Sequence, residues 1–185
     1  MDTNTIIIIV AALAVLAVVA FGLMKRRRTS SLRDRFGPEY ERTIEETGGR
    51  GKAETALHDR EKRVEAFAIQ PLRTGERARY GATWRKVQGD FVDDPKAAVT
   101  RADDLLAEIM SARGYPVGDF EQRSADLSVD HPVVVQNYRA AHEIAERHAR
   151  GDATTEDLRQ AMIHYRALFD DLVSEPDAVS AKRAS

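Results

Sequence analysis

Ile6–Met24 reads IIIIVAALAVLAVVAFGLM, 19 consecutive residues without one charged or hydrogen-bonding side chain. At 1.5 Å per residue a helix of that length reaches roughly 28 Å, close to the hydrocarbon thickness of a bilayer. The stretch is therefore expected to form one transmembrane helix. The flanks separate this reading from a cleavable signal peptide, which carries positive charge before an apolar core of about 7–15 residues and small residues after it. Here Met1–Thr5 holds one acid and no base, whereas Lys25, Arg26, Arg27 and Arg28 follow the run directly. Cations within about 15–20 residues of a span stay on the cytoplasmic side. Those four, with Arg33 and Arg35 behind them, predict an outside N-terminus, a cytoplasmic C-terminal domain and a cell-membrane (inner-membrane) location. The same four are candidate contacts for anionic lipid.

The 161 residues after Met24 are enough for one domain with an ordinary core. There is no cysteine, which excludes disulfides, thiol nucleophiles and cysteine-ligated metals. The net charge of −2 hides an asymmetry. Arg60 to Lys86 holds eight bases against three acids, and Asp93 to Asp130 holds nine acids against four bases. The two stretches can pair inside the domain or face partners.

Beyond the apolar run the pattern is helical and strand signals are missing, so the expected fold is all-α: one transmembrane helix followed by a helical bundle. Ser30 or Ser31 can cap a short helix through Phe36, stopped by Gly37-Pro38, and Glu39–Thr47 forms another. Gly48–Lys52 reads as a flexible joint. Ala53–Ile69 is expected to be helical until Pro71. Thr74 is a candidate N-cap for a helix toward Val92 in which Tyr80, Trp84, Val87 and Phe91 make a buried stripe. Asp94-Pro95 starts the next helix, which Gly114 stops. Asp119–Leu127 is short, Asp130-His131-Pro132 opens a longer helix to Gly151, and Thr154 with Asp157 resembles a capping box. Leu158, Ala161, Met162, Tyr165, Leu168, Phe169 and Leu172 then share one face. The expected organisation is an N-terminus at 1–5, a span at 6–24, a basic juxtamembrane segment at 25–52, a helical domain at 53–175 and a disordered tail at 176–185.

Several motifs invite chemistry, and each has a simpler explanation. His142 and Glu146 stand at i, i+4, but a zinc-protease helix needs a second His at Glu146 and a distant third ligand. Glu143 and Arg147 make a solvated helix face instead. His58, His131 and His164 lie in different elements with no visible partner. Gly51-Lys52 fails as a phosphate loop because Glu46 stands where the first Gly is needed and Ala53 follows the Lys. Tyr80 and Trp84 among the bases of 60–86 could stack on nucleic acid, but their stripe with Val87 and Phe91 marks a core face. The span lacks a GxxxG pattern.

Arg35–Tyr40, Gly89–Pro95, Arg113–Pro116, Phe120–Arg123, Asp130–Pro132 and Thr155–Arg159 cover much of residues 35–173. In these stretches the soluble portion resembles an uncharacterised family of small bacterial proteins with one N-terminal hydrophobic segment, labelled hypothetical, membrane or secreted. The resemblance implies an all-helical domain and supplies no catalytic residue. No cofactor, metal or catalytic set is expected. The leading expectation is a membrane-tethered interaction or structural module with a protein partner or self-association. An enzyme whose site only the fold assembles is the rival, and nucleic-acid binding is less favoured.

Overall fold

A computed structural model describes the backbone of residues 3–116 and 118–174, with the side chains of residues 3–12, 14, 15, 17, 18, 21, 25 and 28 outside the description. Every regular element among the described residues is an α-helix: α1 Thr3–Phe36, α2 Pro38–Thr47, α3 Arg50–Glu65, α4 Thr74–Asp90, α5 Pro95–Ala112, α6 Phe120–Asp130, α7 Val135–Ala149 and α8 Thr155–Ser174. The chain divides into two compact units, Met1–Leu57 and His58–Ser185, with the division inside α3.

In the first unit the helix predicted to start at Ser30 is the continuation of α1, which runs unbroken for 34 residues. No Gly or Pro lies between Leu23 and Phe36 to stop it, and the Ser30 hydroxyl donates to Asp34 at 3.4 Å within the helix instead of capping. Gly37 then turns the chain at φ 50° and Pro38 opens α2. Gly48, at φ 71°, supplies the left-handed residue that ends α2. The joint predicted through Lys52 shrinks to Gly48-Gly49: Ala53 N–H donates to Gly49 at 3.0 Å, and Gly51 and Lys52 are already helical. Burial of Ala53 and Leu57 outweighs the low helix propensity of Gly51. Among the described residues no helix is long and apolar enough to cross a membrane. Most side chains of Ile6–Met24 lie outside the description; Leu13, Leu16, Val19, Leu23 and Met24, which lie within it, are all more than half exposed.

In the second unit α8 is central, packed against α7, α5 and α4, while α6 leans on α7. The Leu158 to Leu172 face of α8 is buried, as its spacing predicts. Trp84 of α4 stacks on Phe169 of α8 with centroids 4.7 Å apart and planes 14° from parallel. Tyr80, Trp84 and Val87 are 2–3% exposed and Phe91 packs beside them, so this stripe is core.

The helix ends show where local chemistry decides. Asp94 accepts from Ala97 N–H at 3.0 Å and Asp119 from Gln122 N–H at 2.8 Å, as N-caps do. The capping box of α8 is reciprocal: Asp157 N–H donates to Thr154 Oγ1 at 3.2 Å, and Thr154 N–H to Asp157 Oδ2 at 2.8 Å. Three boundaries differ from expectation. Thr74 is the first helical residue of α4 and not its cap; the Glu76 carboxylate accepts from Arg73 N–H at 2.9 Å one residue earlier. α3 stops at Glu65 rather than Ile69, because Gln70 N–H leaves to bond Arg113 O at 2.9 Å and Phe67 and Ile69 turn toward the core. α7 starts at Val135 instead of Asp130, since α6 continues through Asp130 and Pro132 disfavours the helical region for His131. After α5, Gly114 is at φ 95°, and a Cβ there would stand 2.4 Å from Ala68 O, so only glycine fits. Glu175-Pro176 and the tail predicted at 176–185 lie outside the described residues.

Candidate functional site

The opposed charge stretches meet inside the second unit. Arg63 Nε donates to Asp126 Oδ1 at 2.8 Å, with Gln122 Oε1 accepting from the same guanidinium at 3.2 Å. Asp126 is buried while half of Arg63 stays outside, so this contact fastens α3 to α6 with one charge desolvated. Arg79 reaches Glu108 of α5 at 3.1 Å across a solvated surface. Burial and the nearby Glu108 raise the Tyr80 hydroxyl above its ordinary pKa. Lys62, Arg73, Arg85 and Lys86 remain exposed. Part of the basic stretch is structural and part faces solvent.

The histidines go to separate places. His142 is stacked on Phe120, 3.5 Å between centroids and 8° from parallel, and its Nε2 is 3.7 Å from Glu146. Among the described residues no three His, Asp or Glu side chains converge as metal ligands. His131 is buried with Nδ1 2.5 Å from Asp171 of α8, beside Tyr115, whose hydroxyl donates to Asp130 at 3.3 Å. This pair closes the end of the bundle where Arg113 Nη1 donates to Leu172 O at 3.1 Å. His164 meets Asn137 Oδ1 at 2.9 Å, and His58 meets Glu61 at 3.4 Å. The aromatic stripe of Tyr80 and Trp84 is covered by α8 and offers no stacking platform.

In the first unit, Arg26 and Arg27 are exposed, while the side chains of Lys25 and Arg28 lie outside the description. Arg33 is engaged: its Nε donates to Glu41 at 3.1 Å, its guanidinium sits 5.7 Å from the Tyr40 ring centroid, and the Glu41 hydrogen bond raises its pKa. Glu54 accepts from Thr29 at 2.7 Å and from Tyr40 at 3.0 Å, and burial together with that carboxylate raises the Tyr40 hydroxyl.

One cluster is invisible to motif reading. Asp103 of α5, Arg123 of α6, Tyr138 of α7 and Tyr165 of α8 meet within the bundle, one residue per helix. Burial first, then the Asp103 carboxylate, pushes both tyrosine hydroxyls far above their ordinary range. In sequence the two tyrosines stand on apolar stripes and read as core, and the aspartate and arginine read as surface charges. The spacing that would reveal them spans four elements.

No family model, curated protein or solved structure matches this chain.

Proposed function

We propose that this chain is a single-pass membrane protein whose first helix tethers a helical domain at the cytoplasmic face, where the domain serves as an interaction module for a protein partner or a second copy. The observation that carries the reading is the uncharged run Ile6–Met24 followed at once by Lys25–Arg28 within one helix, α1. An apolar run of that length followed by four cations fits lipid on one side and headgroups on the other. The exposed Leu13, Leu16, Val19 and Leu23 support it, since such side chains find their solvent in acyl chains. Lys25, Arg26, Arg27 and Arg28 then meet anionic headgroups, each contributing about 1 kcal/mol near a charged leaflet. Arg33, held by Glu41, stands outside that set. The interaction role rests on Lys62, Arg73, Arg85 and Lys86, which stay exposed while Arg63 and Arg79 are drawn into pairs within the domain.

A reporter fused after Ser185 tests the tether. A cytoplasm-dependent reporter should be active and an export-dependent one silent. Activity of the export-dependent reporter overturns the orientation, and release of the protein by alkaline carbonate overturns the span. Affinity capture from detergent extracts, with sedimentation of the purified chain, tests the module. A stoichiometric protein partner or a defined oligomer supports it; a monomer that captures nothing removes it, and salt-sensitive retention on DNA or RNA replaces it with a nucleic-acid role.

A further inference from the structure

We propose that the outward face of α4 docks on the anionic leaflet, a second membrane contact made by Arg73, Arg85 and Lys86. The inference rests on the tether proposed above and names the surface these cations meet. Tyr80, Trp84 and Val87 turn one side of α4 into the core. The opposite side carries Gly75, Ala78, Ala82 and Gly89, all exposed, with Arg85 and Lys86 on its two flanks and Arg73 just before the helix. Other exposed arginines of the second unit stand beside an acid: Arg79 is 3.1 Å from Glu108, Arg101 3.3 Å from Asp90, Arg159 2.6 Å from Glu156 and Arg166 3.4 Å from Asp170. Arg73, Arg85 and Lys86 stand in no ion pair among the described residues. The two acids of α4 are engaged elsewhere, Glu76 by the Arg73 N–H at 2.9 Å and Asp90 by Arg101.

The chemistry of the face selects the leaflet over the other anionic surfaces. A protein interface is held at its centre by large aromatic or guanidinium anchors in pockets. The centre of this face holds only glycine and alanine, and its cations stand at the flanks. A second copy is a poor match as well. In the acidic stretch Asp93–Asp130, Asp103, Glu108, Glu121 and Asp126 are already beside bases of their own chain, and Asp94 and Asp119 cap helices. A charged leaflet needs neither pocket nor register, only cations free to approach it. Near such a leaflet each cation favours the docked state about fivefold, and three together about a hundredfold. The tether supplies the high local concentration that makes so modest a contact persist.

The chain has no cysteine, so Ala82→Cys gives one labelling position at the centre of the face. The full chain carrying a fluorophore there is placed in nanodiscs of phosphatidylcholine, alone or with about one-third phosphatidylglycerol, and quenched with acrylamide, which is neutral. Quenching should be several-fold weaker in the anionic disc. It should recover in about 1 M salt, where the Debye length is about 3 Å, and in the variant Arg73→Gln/Arg85→Gln/Lys86→Gln. The salt arm needs no variant to fold. A label at Ile163→Cys, on the outward face of α8 where Arg159 and Arg166 are paired, should be quenched equally in both discs. Equal quenching of the Ala82 label in both discs overturns the docking while the tether stands, and so does equal protection at Ile163. Protection at Ala82 in native membranes but in neither disc gives the face to a protein and also overturns it. Release of the chain from neutral bilayers by alkaline carbonate overturns the tether and the docking together.

Discussion

The two units share one secondary structure and rest on different forces. In His58–Ser185 the buried faces of α4, α5 and α7 close on α8, and Trp84, Tyr138, Tyr165 and Leu168 are all 3% exposed or less. In Met1–Leu57 the described buried apolar residues are few, Leu32, Phe36, Tyr40, Ala53 and Leu57. Much of the visible specificity there is polar: Glu54 gathers Thr29 and Tyr40, and Glu41 holds Arg33. Apolar burial contributes more free energy than solvated hydrogen bonds and ion pairs. The contrast therefore predicts that the first unit opens locally at lower cost than the second.

The largest expected effect breaks the second unit through its core. Trp84→Ala removes a stacked, buried ring and should destabilise by about 3–5 kcal/mol. Arg85→Ala and Lys86→Ala, on the exposed side of the same helix, should stay within about 0.5 kcal/mol. Circular dichroism of residues 50–174, which keep α3 whole, is the measurement: a helix-dominated spectrum, and a melting temperature that falls sharply only for Trp84→Ala. Strand or coil spectra from the parent fragment would contradict the bundle itself. If Trp84→Ala melts like the parent, the stripe is not core.

A smaller effect sharpens the first unit's side of the contrast. Tyr40→Phe deletes the hydroxyl that donates to Glu54 at the cost of about 0.5–1.5 kcal/mol. Hydrogen exchange on the full chain should show faster exchange in α2 with the protection of α5 and α8 unchanged. Acceleration spread equally over both units would mean that they unfold together and that the contrast is false.

The smallest effect concerns surface charge on the bundle. Arg159 and Gln160 hold the Glu156 carboxyl at about 2, down from the ordinary 4.5. The folded state thus binds this proton less readily than the unfolded chain. The stability it adds is complete above about 4.5 and is lost as the pH falls toward 2. Glu156 is fully exposed, so the slope should be shallow. Denaturation midpoints compared at pH 5 and pH 2.5 should drop slightly less in Glu156→Gln than in the parent. A large difference would show that surface ion pairs carry weight in the bundle that its core does not explain.

Much of the second unit is local and readable along the chain. Asp94, Asp119, Thr154 and Asp157 cap helices because a short acceptor side chain beside the first free N–H groups needs no partner from elsewhere. The stripes of α4 and α8 lie where their spacing puts them, since side chains three and four apart share a helix face whatever the fold. The uncharged run Ile6–Met24 and the cations after it are equally a property of the sequence.

What only the tertiary structure decided is whatever joins residues distant in sequence. The end of α3 depends on Gln70 pairing with Arg113. The opposed charges left open whether they pair internally; packing of α3 on α6 and α4 on α5 brings Arg63 to Asp126 and Arg79 to Glu108. The cluster of Asp103, Arg123, Tyr138 and Tyr165 is the furthest from the sequence. Asp103 reads as one more acid and Tyr138 as one more core ring, until four helices pack and bring the Asp103 carboxylate beside both tyrosine hydroxyls. Periodicity tells which face of a helix turns inward; which polar atoms then meet depends on helix register and crossing, and that is set by the packing of all four at once.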